Sequence, residues 1–272
     1  MTDRRTFLTR TGDQTFLPNP SAVGPWGPNT VSGLVITGLV GHAAEQAAGD
    51  ADYVGTRLTI DMVRMALQDE LRVETSVLRE GRRLRLVDVT LLQDDRNVAH
   101  GRGIFVRRSE TPEGSVWSPP VVMAKPPTAE ETPEFGPKPY FGPDASPAPD
   151  FEPWRDPNQA KYVWYDFDAT LVEGEPTSPF ARAAAVADVS NPLMNWGSHG
   201  LQFVNSDITM LLAREPEGTM LGLAARDRQE AGGVSVGTAV MFDAAGPIGA
   251  TTVTSLASQV RMSIPDHRAA SS

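Results

Sequence analysis

Gly55-Thr56-Arg57-Leu58-Thr59-Ile60-Asp61-Met62-Val63-Arg64 opens a series of strand-like runs that ends in Val98-Ala99-His100-Gly101-Arg102-Gly103-Ile104-Phe105-Val106. A second series opens on Phe203-Val204-Asn205-Ser206-Asp207-Ile208-Thr209-Met210-Leu211-Leu212-Ala213-Arg214 and ends in Ile248-Gly249-Ala250-Thr251-Thr252-Val253-Thr254-Ser255-Leu256. Apolar and polar residues alternate through much of both, which marks half-buried strands. In each series an Asp precedes an Arg, glycine-containing hairpins follow, and a mainly apolar helical segment lies upstream. A repeat of this length points to duplication of a whole small fold, not to a solenoid.

Outward from these runs, Leu34, Val35, Ile36, Leu39, Val40, Ala43, Ala44 and Ala47 predict a helix over 32–48, buried around much of its circumference. Gly33, Gly38 and Gly41 within it permit close approach of another backbone, as a helix wrapped by a curved sheet requires. Strands are predicted over 56–63, 71–79, 83–93 and 97–107, with turns at Gly81 and Asp94-Asp95-Arg96-Asn97. In the second copy, 161–172 alternates as a strand, and Ser178-Pro179 supplies N-cap and first-turn chemistry for a helix over 180–189. Strands over 201–213, 220–229, 234–242 and 248–258 complete it.

One helix followed by an antiparallel sheet, done twice, predicts an α+β tandem hotdog: two antiparallel sheets, each wrapping a long helix, joined edge to edge. A pair of unrelated α+β domains is the alternative. The expected boundaries are an N-terminal hotdog over 1–108, a Pro-rich surface linker over 109–157, a C-terminal hotdog over 158–263 and a frayed tail over 264–272.

A formal charge of −10 with no long basic run argues against nucleic acid as a partner. The absence of cysteine removes disulfides, thiolate nucleophiles and sulfur metal sites. His42, His100, His199 and His267 are scattered without ligand spacing, so neither a metal nor another cofactor is expected. Arg4-Arg5 precedes polar, Pro-rich sequence instead of an apolar stretch, and 31–40 is too short to span a bilayer; a cytoplasmic protein is expected.

Three further stretches carry a resemblance. Thr56-Arg57-Leu58-Thr59-Ile60-Asp61-Met62-Val63-Arg64, Glu80-Gly81-Arg82-Arg83 with Leu86-Val87-Asp88-Val89, and Gly174-Glu175-Pro176-Thr177-Ser178-Pro179 with Ala187-Asp188 resemble the acyl-CoA thioesterase II type, TesB-like family of double-hotdog proteins. The likeness covers nearly the whole chain apart from the linker and tail. It implies hydrolysis of fatty acyl-CoA thioesters, a part in lipid metabolism, without a covalent intermediate. In that family an Asp, a Thr or similar polar residue, and a Gln hold the attacking water. Matched residue by residue, these fall on Asp188, Asn205 and Thr254. Thr254 stands where the family has Gln, and a hydroxyl is shorter than an amide with one proton to give. Hence the second reading, a non-catalytic acyl-CoA or lipid-binding protein that lost the water-holding Gln. Val31-Ser32-Gly33-Leu34 replaces the family's His-Gly-Gly type sequence; Ser32 caps the helix, and the first amides, at Ser32 and Gly33, face a thioester carbonyl in this reading. Arg82 and Arg83, with Arg85, Arg107 and Arg108, are candidates to meet CoA phosphates, or else a solvated hairpin edge. The sequence does not fix the assembly state; a homodimer of double hotdogs is one option, since hotdog units commonly pair and a tandem chain already supplies one pair.

Asp188 follows Ala183-Ala184-Ala185-Val186-Ala187, an apolar setting in which a carboxylate needs a partner or a job. Asp61 and Asp207 are read as structural, bracing Arg64 and Arg214. Asp166-Phe167-Asp168-Ala169-Thr170 resembles the DxDxT signature of haloacid-dehalogenase-type phosphatases, a remote alternative, since no Lys follows Lys161. Gly233-Val234-Ser235-Val236-Gly237 matches the GxSxG elbow, but the following residues continue a strand.

Overall fold

The computed structural model describes residues 6–49, 51–118, 120–126, 136–141, 146–147 and 152–259. The predicted tail over 264–272 and His267 lie outside the described residues. The first half comprises β1 (Thr6–Gly12), β2 (Thr15–Pro18), α1 (Gly33–Ala48), β3 (Tyr53–Met62), β4 (Leu71–Glu80), β5 (Leu84–Gln93) and β6 (Arg96–Arg107). Then come β7 (Gly136–Phe141), β8 (Ser146–Pro147), β9 (Lys161–Asp166), β10 (Thr170–Val172), α2 (Pro179–Ala187), α3 (Ser190–Asn195), β11 (Trp196–Gly197), β12 (Gly200–Leu201), β13 (Phe203–Leu212), β14 (Met220–Ala231), β15 (Val234–Asp243) and β16 (Gly246–Ala257).

The predicted hairpins form for the anticipated reason. Asp94 and Asp95, with φ of 50° and 57°, place two residues in the left-handed region between β5 and β6, a turn whose twist matches the strands it joins. The predicted pair of sheets is instead one 14-stranded sheet, in the order β10-β1-β2-β4-β5-β6-β3-β13-β16-β15-β14-β9-β7-β8. The halves meet where β3 and β13 pair antiparallel from Asp61↔Asp207 to Arg57↔Leu211. That ladder satisfies the backbone groups each half would otherwise leave open at its edge. The predicted 161–172 strand is split: β9 pairs antiparallel with β14 and β7, whereas β10 crosses to pair parallel with β1. Within the predicted linker, β7 and β8 extend the sheet, while Val121, Met123 and Ala124 pack with Tyr162, Trp164 and Phe242.

The helices also depart from one long helix per sheet. α1 lies on β3 to β6, and α2 packs on α1. The strands of the second half are covered by α3. Gly38 and Gly41 lie against α2 as well as strand side chains: a Cβ on Gly41 would stand 2.6 Å from that of Ala184 and 3.5 Å from Leu58 of β3, and one on Gly38 3.2 Å from both Ala185 and Leu171 of β10. Small residues on both helices make this approach possible, which the run Ala183-Ala184-Ala185 supports from the other side. Asp61 and Asp207 do not brace Arg64 and Arg214; they oppose each other across the β3–β13 junction. Arg214 is held by Asp243 at 2.6 and 2.7 Å, and the Asp243 side chain is fully buried. Burial alone would raise the Asp243 carboxyl, but Arg214 and the N–H groups of Glu217 and Ala245 outweigh it and hold the carboxyl below its usual range.

Candidate active site at the start of the first helix

α2 begins as the sequence predicts: Ser178 Oγ accepts the Ala181 N–H at 3.1 Å, with Pro179 in the first turn. Its end is set by Pro192. An uninterrupted helix would need the residue-192 N–H to donate to the Asp188 carbonyl, and proline has none. The Asn191 N–H takes that carbonyl at 3.1 Å, and the chain restarts as α3. Asp188 therefore projects from a break between two helices.

Its carboxylate lies against the first turn of α1. A Cβ on Gly33 would stand 2.5 Å from Asp188 Oδ1 and 2.6 Å from Oδ2, so only a hydrogen fits there. Asn205 Nδ2 donates to Asp188 Oδ1 at 3.0 Å, and the Leu34 backbone N–H donates to the same carboxylate. Burial raises the Asp188 carboxyl to about 6, while the Asn205 and Leu34 donors pull in the opposite direction. Protein surrounds the carboxyl, while the residue as a whole is partly exposed. A buried, hydrogen-bonded carboxylate raised toward neutrality is suited to take a proton from water near neutral pH.

The start of α1 differs from the sequence expectation. Ser32 occupies the N-cap position but makes no side-chain capping bond. The Val35 and Ile36 N–H groups bond to the Ser32 carbonyl and the Ser32 N–H to Ala22, so with Leu34 engaged by Asp188 these four amides are not turned toward a substrate.

Asn205 reaches Asp188, and Thr254 does not. In β13 the pairing with β16 shifts between Asn205↔Ser255 and Asp207↔Thr254, so Ser206 is an extra, bulged residue. The bulge inverts the alternation of faces. Asn205 shares the inner face with Ser255, whereas Thr254 shares the outer face with Asp207 and the exposed Val236. A one-residue insertion in the partner strand leaves no mark in the sequence of β16, which is why Thr254 was matched.

Sequence reasoning missed the polar residues behind this pair. Ser190 and Thr251 hydroxyls meet at 2.6 Å. Asn191 Nδ2 donates to the Phe203 carbonyl at 3.1 Å, and Asn191 Oδ1 accepts from Ser255 Oγ at 3.0 Å and Asn195 Nδ2 at 2.9 Å. Asn195 Oδ1 accepts from Ser235 Oγ at 2.7 Å and from Arg228 Nε at 3.0 Å. The signal available was Asn191 and Asn195 at helical spacing just after Asp188.

Arg82 and Arg83 are exposed at the β4–β5 turn, where Arg85 bonds the Ala48 carbonyl at the far end of α1. A 16-residue helix is about 24 Å long, so they stand well away from Ser32 and Gly33 at its start. Arg107 pairs with Asp52 at 2.7 Å and Arg108 with Glu215. A cavity of 420 Å³ is lined by Ala51, Asp52, Arg107 and Arg108, and one of 320 Å³ by residues that include Arg10, His42, Gln46 and Thr75; Asp188 lines neither. Ser235 of the GxSxG match is buried at the start of strand β15, and the DxDxT match straddles β9 and β10. Among the described residues no three His, Asp or Glu side chains cluster to hold a metal ion, and no helix is long and apolar enough to cross a membrane.

No curated protein matches the chain. Among solved structures, it is similar to the tesB protein of Mycobacterium avium subsp. paratuberculosis, at 18% identity over 92% of this chain and 95% of that one, with a TM-score of 0.65. It is similar to acyl-CoA thioesterase II TesB2 of Mycobacterium marinum, at 16% identity over 92% and 95%, with a TM-score of 0.60. A hot dog fold protein of Alicyclobacillus acidocaldarius matches at 18% identity over 95% and 96%, with a TM-score of 0.61. At these identities the likeness establishes the hotdog fold. Residues 22–106 match the acyl-CoA thioesterase N-terminal domain and residues 120–256 the acyl-CoA thioesterase C-terminal domain, so the chain belongs to the acyl-CoA thioesterase family.

Proposed function

We propose that this protein hydrolyses fatty acyl-CoA thioesters by direct attack of water, with Asp188 as general base and Asn205 as the group that orients it. The observation that carries this is the Asp188 carboxylate, held by Asn205 and Leu34 against Gly33 and raised to about 6. At pH 7.5 such a carboxylate is mostly ionised yet more basic than an ordinary one. Because Asn205 Nδ2 is committed to Asp188, its Oδ1 is the atom left to receive a water hydrogen. A water donating one hydrogen to each residue keeps a lone pair for the thioester carbon. Asp188 takes the first proton as the C–O bond forms and gives it to the sulfur as the C–S bond breaks, so that CoA leaves as thiol and the carboxylate is restored.

In this reading the chain is a tandem hotdog with units over 1–108 and 158–263, joined by the linker over 109–157 and followed by a tail over 264–272. It acts in the cytoplasm in lipid metabolism, as a homodimer of such chains. Ser32 and Gly33 border the thioester, and Arg82 and Arg83 are left to the solvated edge.

The test is free-thiol release across a series of acyl-CoA chain lengths. Asp188→Asn is expected to lose 10²–10⁴-fold in kcat, in the range of a removed general base. A second reading, an acyl-CoA-binding protein without turnover, is favoured by the position of Thr254, because β16 supplies no amide to the site. Tight acyl-CoA binding with equal, background thiol release from the natural chain and Asp188→Asn would select it.

A further inference from the structure

We propose that Asn191 and Ser255 are the positioning residues of the Asp188–Asn205 pair, an inference that rests on the hydrolase reading for its kinetic consequence but not for its structural one. Three elements must be registered for Asn205 to reach Asp188: the break before α3, the start of β13, and β16 across the bulge. Asn191 touches all three. Its backbone N–H holds the Asp188 carbonyl at 3.1 Å, its Nδ2 holds the Phe203 carbonyl two residues before Asn205 at 3.1 Å, and its Oδ1 accepts Ser255 Oγ at 3.0 Å. Ser255 lies directly opposite Asn205 on the inner face and also accepts Asn195 Nδ2 at 3.1 Å. Asn191 is 3% exposed and Ser255 not at all, so neither is placed to meet substrate.

Every polar atom in this group has a partner of defined geometry, the condition under which a buried network specifies one arrangement instead of several. With either side chain removed, the first turn of α3 can shift relative to β13, and a bond at 3.0 Å between Asn205 and Asp188 does not survive a displacement of 1 Å. Ser255, not Thr254, is thus the β16 residue that serves the site.

The test measures Asp188 directly in the full-length protein, by carboxyl ¹³C NMR titration without substrate, its signal assigned by loss in Asp188→Asn. No charged side chain contributes to the Asp188 shift, so Asn205 and Leu34 are the groups to watch. Asn205→Ala sets the scale: losing its donor raises the Asp188 midpoint above its natural value near 6. Ser255→Ala and Asn191→Ala are expected to raise it by about half a pH unit or more, and Thr254→Ala not to move it. In the thiol-release assay the two positioning variants are expected to lose about 10-fold or more in kcat with KM little changed, the mark of lost geometry. An unmoved midpoint in Ser255→Ala, or an equal shift in Thr254→Ala, overturns the proposal. If Asn191→Ala fails to fold, Ser255→Ala alone decides. If the natural chain releases no thiol, the hydrolase reading fails while the titration still decides the positioning role.

Discussion

The two halves of the sheet cover their inner faces differently. In the first half α1 runs unbroken for 16 residues over strands whose inner positions include Val87, Val89, Leu91, Ala99 and Phe105, all buried. In the second, the chain stops at Ala187 and restarts at Ser190, and the strands beneath α3 present Ser235, Thr251 and Ser255. The apolar half gains burial alone. The polar half gives up part of that around Asp188, and its buried Ser190, Asn191, Asn195, Ser235, Thr251 and Ser255 side chains all have hydrogen-bond partners, without which burial would cost more than it returns. The second half thus carries the buried polar side chains behind Asp188, and the first half supplies the helix start on which that carboxylate rests.

The same contrast recurs at the loops after β3 and β13, the two strands at which the halves meet. After β13, Arg214 and the Glu217 N–H are gathered by buried Asp243. After β3, the loop is gathered by Gln93, which bonds the Leu67 N–H at 2.9 Å and the Leu67 and Asp69 carbonyls at 3.0 and 3.1 Å. Asp243→Asn is expected to lower unfolding free energy by about 3–4 kcal/mol, since it strands Arg214 beside a neutral group, whereas Gln93→Ala costs about 1 kcal/mol. Urea melts of both variants measure the difference, and equal losses would erase the comparison.

Asp188 makes the second half pH-sensitive. Its folded pKa, about 6, lies above the ordinary Asp value of 3.8, so the stability tied to its protonated form is complete below pH 3.8 and lost as pH rises through 6. Asp188→Asn is therefore expected to be more stable than the natural chain at pH 7.5, by at most about 3 kcal/mol at 1.36 kcal/mol per pH unit, with the gap closing toward pH 4. Thermal melts at the two pH values check it; a gap independent of pH would remove burial as the cause.

Gly33→Ala probes the contact between halves. Alanine ordinarily favours a helix, but here its methyl meets the Asp188 carboxylate, so a net loss of about 1–2 kcal/mol is expected, with a larger relative loss of thiol release. A stabilised, fully active Gly33→Ala would mean that the first half does not support the site. Smallest of all, Thr254→Ala on the outer face is expected to change stability by less than about 0.5 kcal/mol.

Much of this was legible in residues. Alternation marked the hairpin strands to within a few positions, Asp94-Asp95 marked a turn, and Ser178-Pro179 marked a helix start, because each depends on side chains adjacent in sequence. The helix expected over 180–189 is α2 to within two residues, whereas the restart as α3 around Pro192 is not foreseen. Asp188 stood out as a carboxylate in an apolar run. Of the two residues matched by resemblance, Asn205 lies on Asp188 and Thr254 on the outer face of the sheet.

By itself, then, the chain determined the repeat, the strands and the carboxylate, since periodicity and local chemistry act over a few residues. Only the tertiary structure decided that Gly38 and Gly41 meet α2, that a bulge at Ser206 turns Thr254 outward and Ser255 inward, and that Asp188 rests on Gly33 in the helix of the other half. Those outcomes depend on register and on contacts between distant segments, and a one-residue shift in a strand exchanges its two faces without changing a letter of its own sequence.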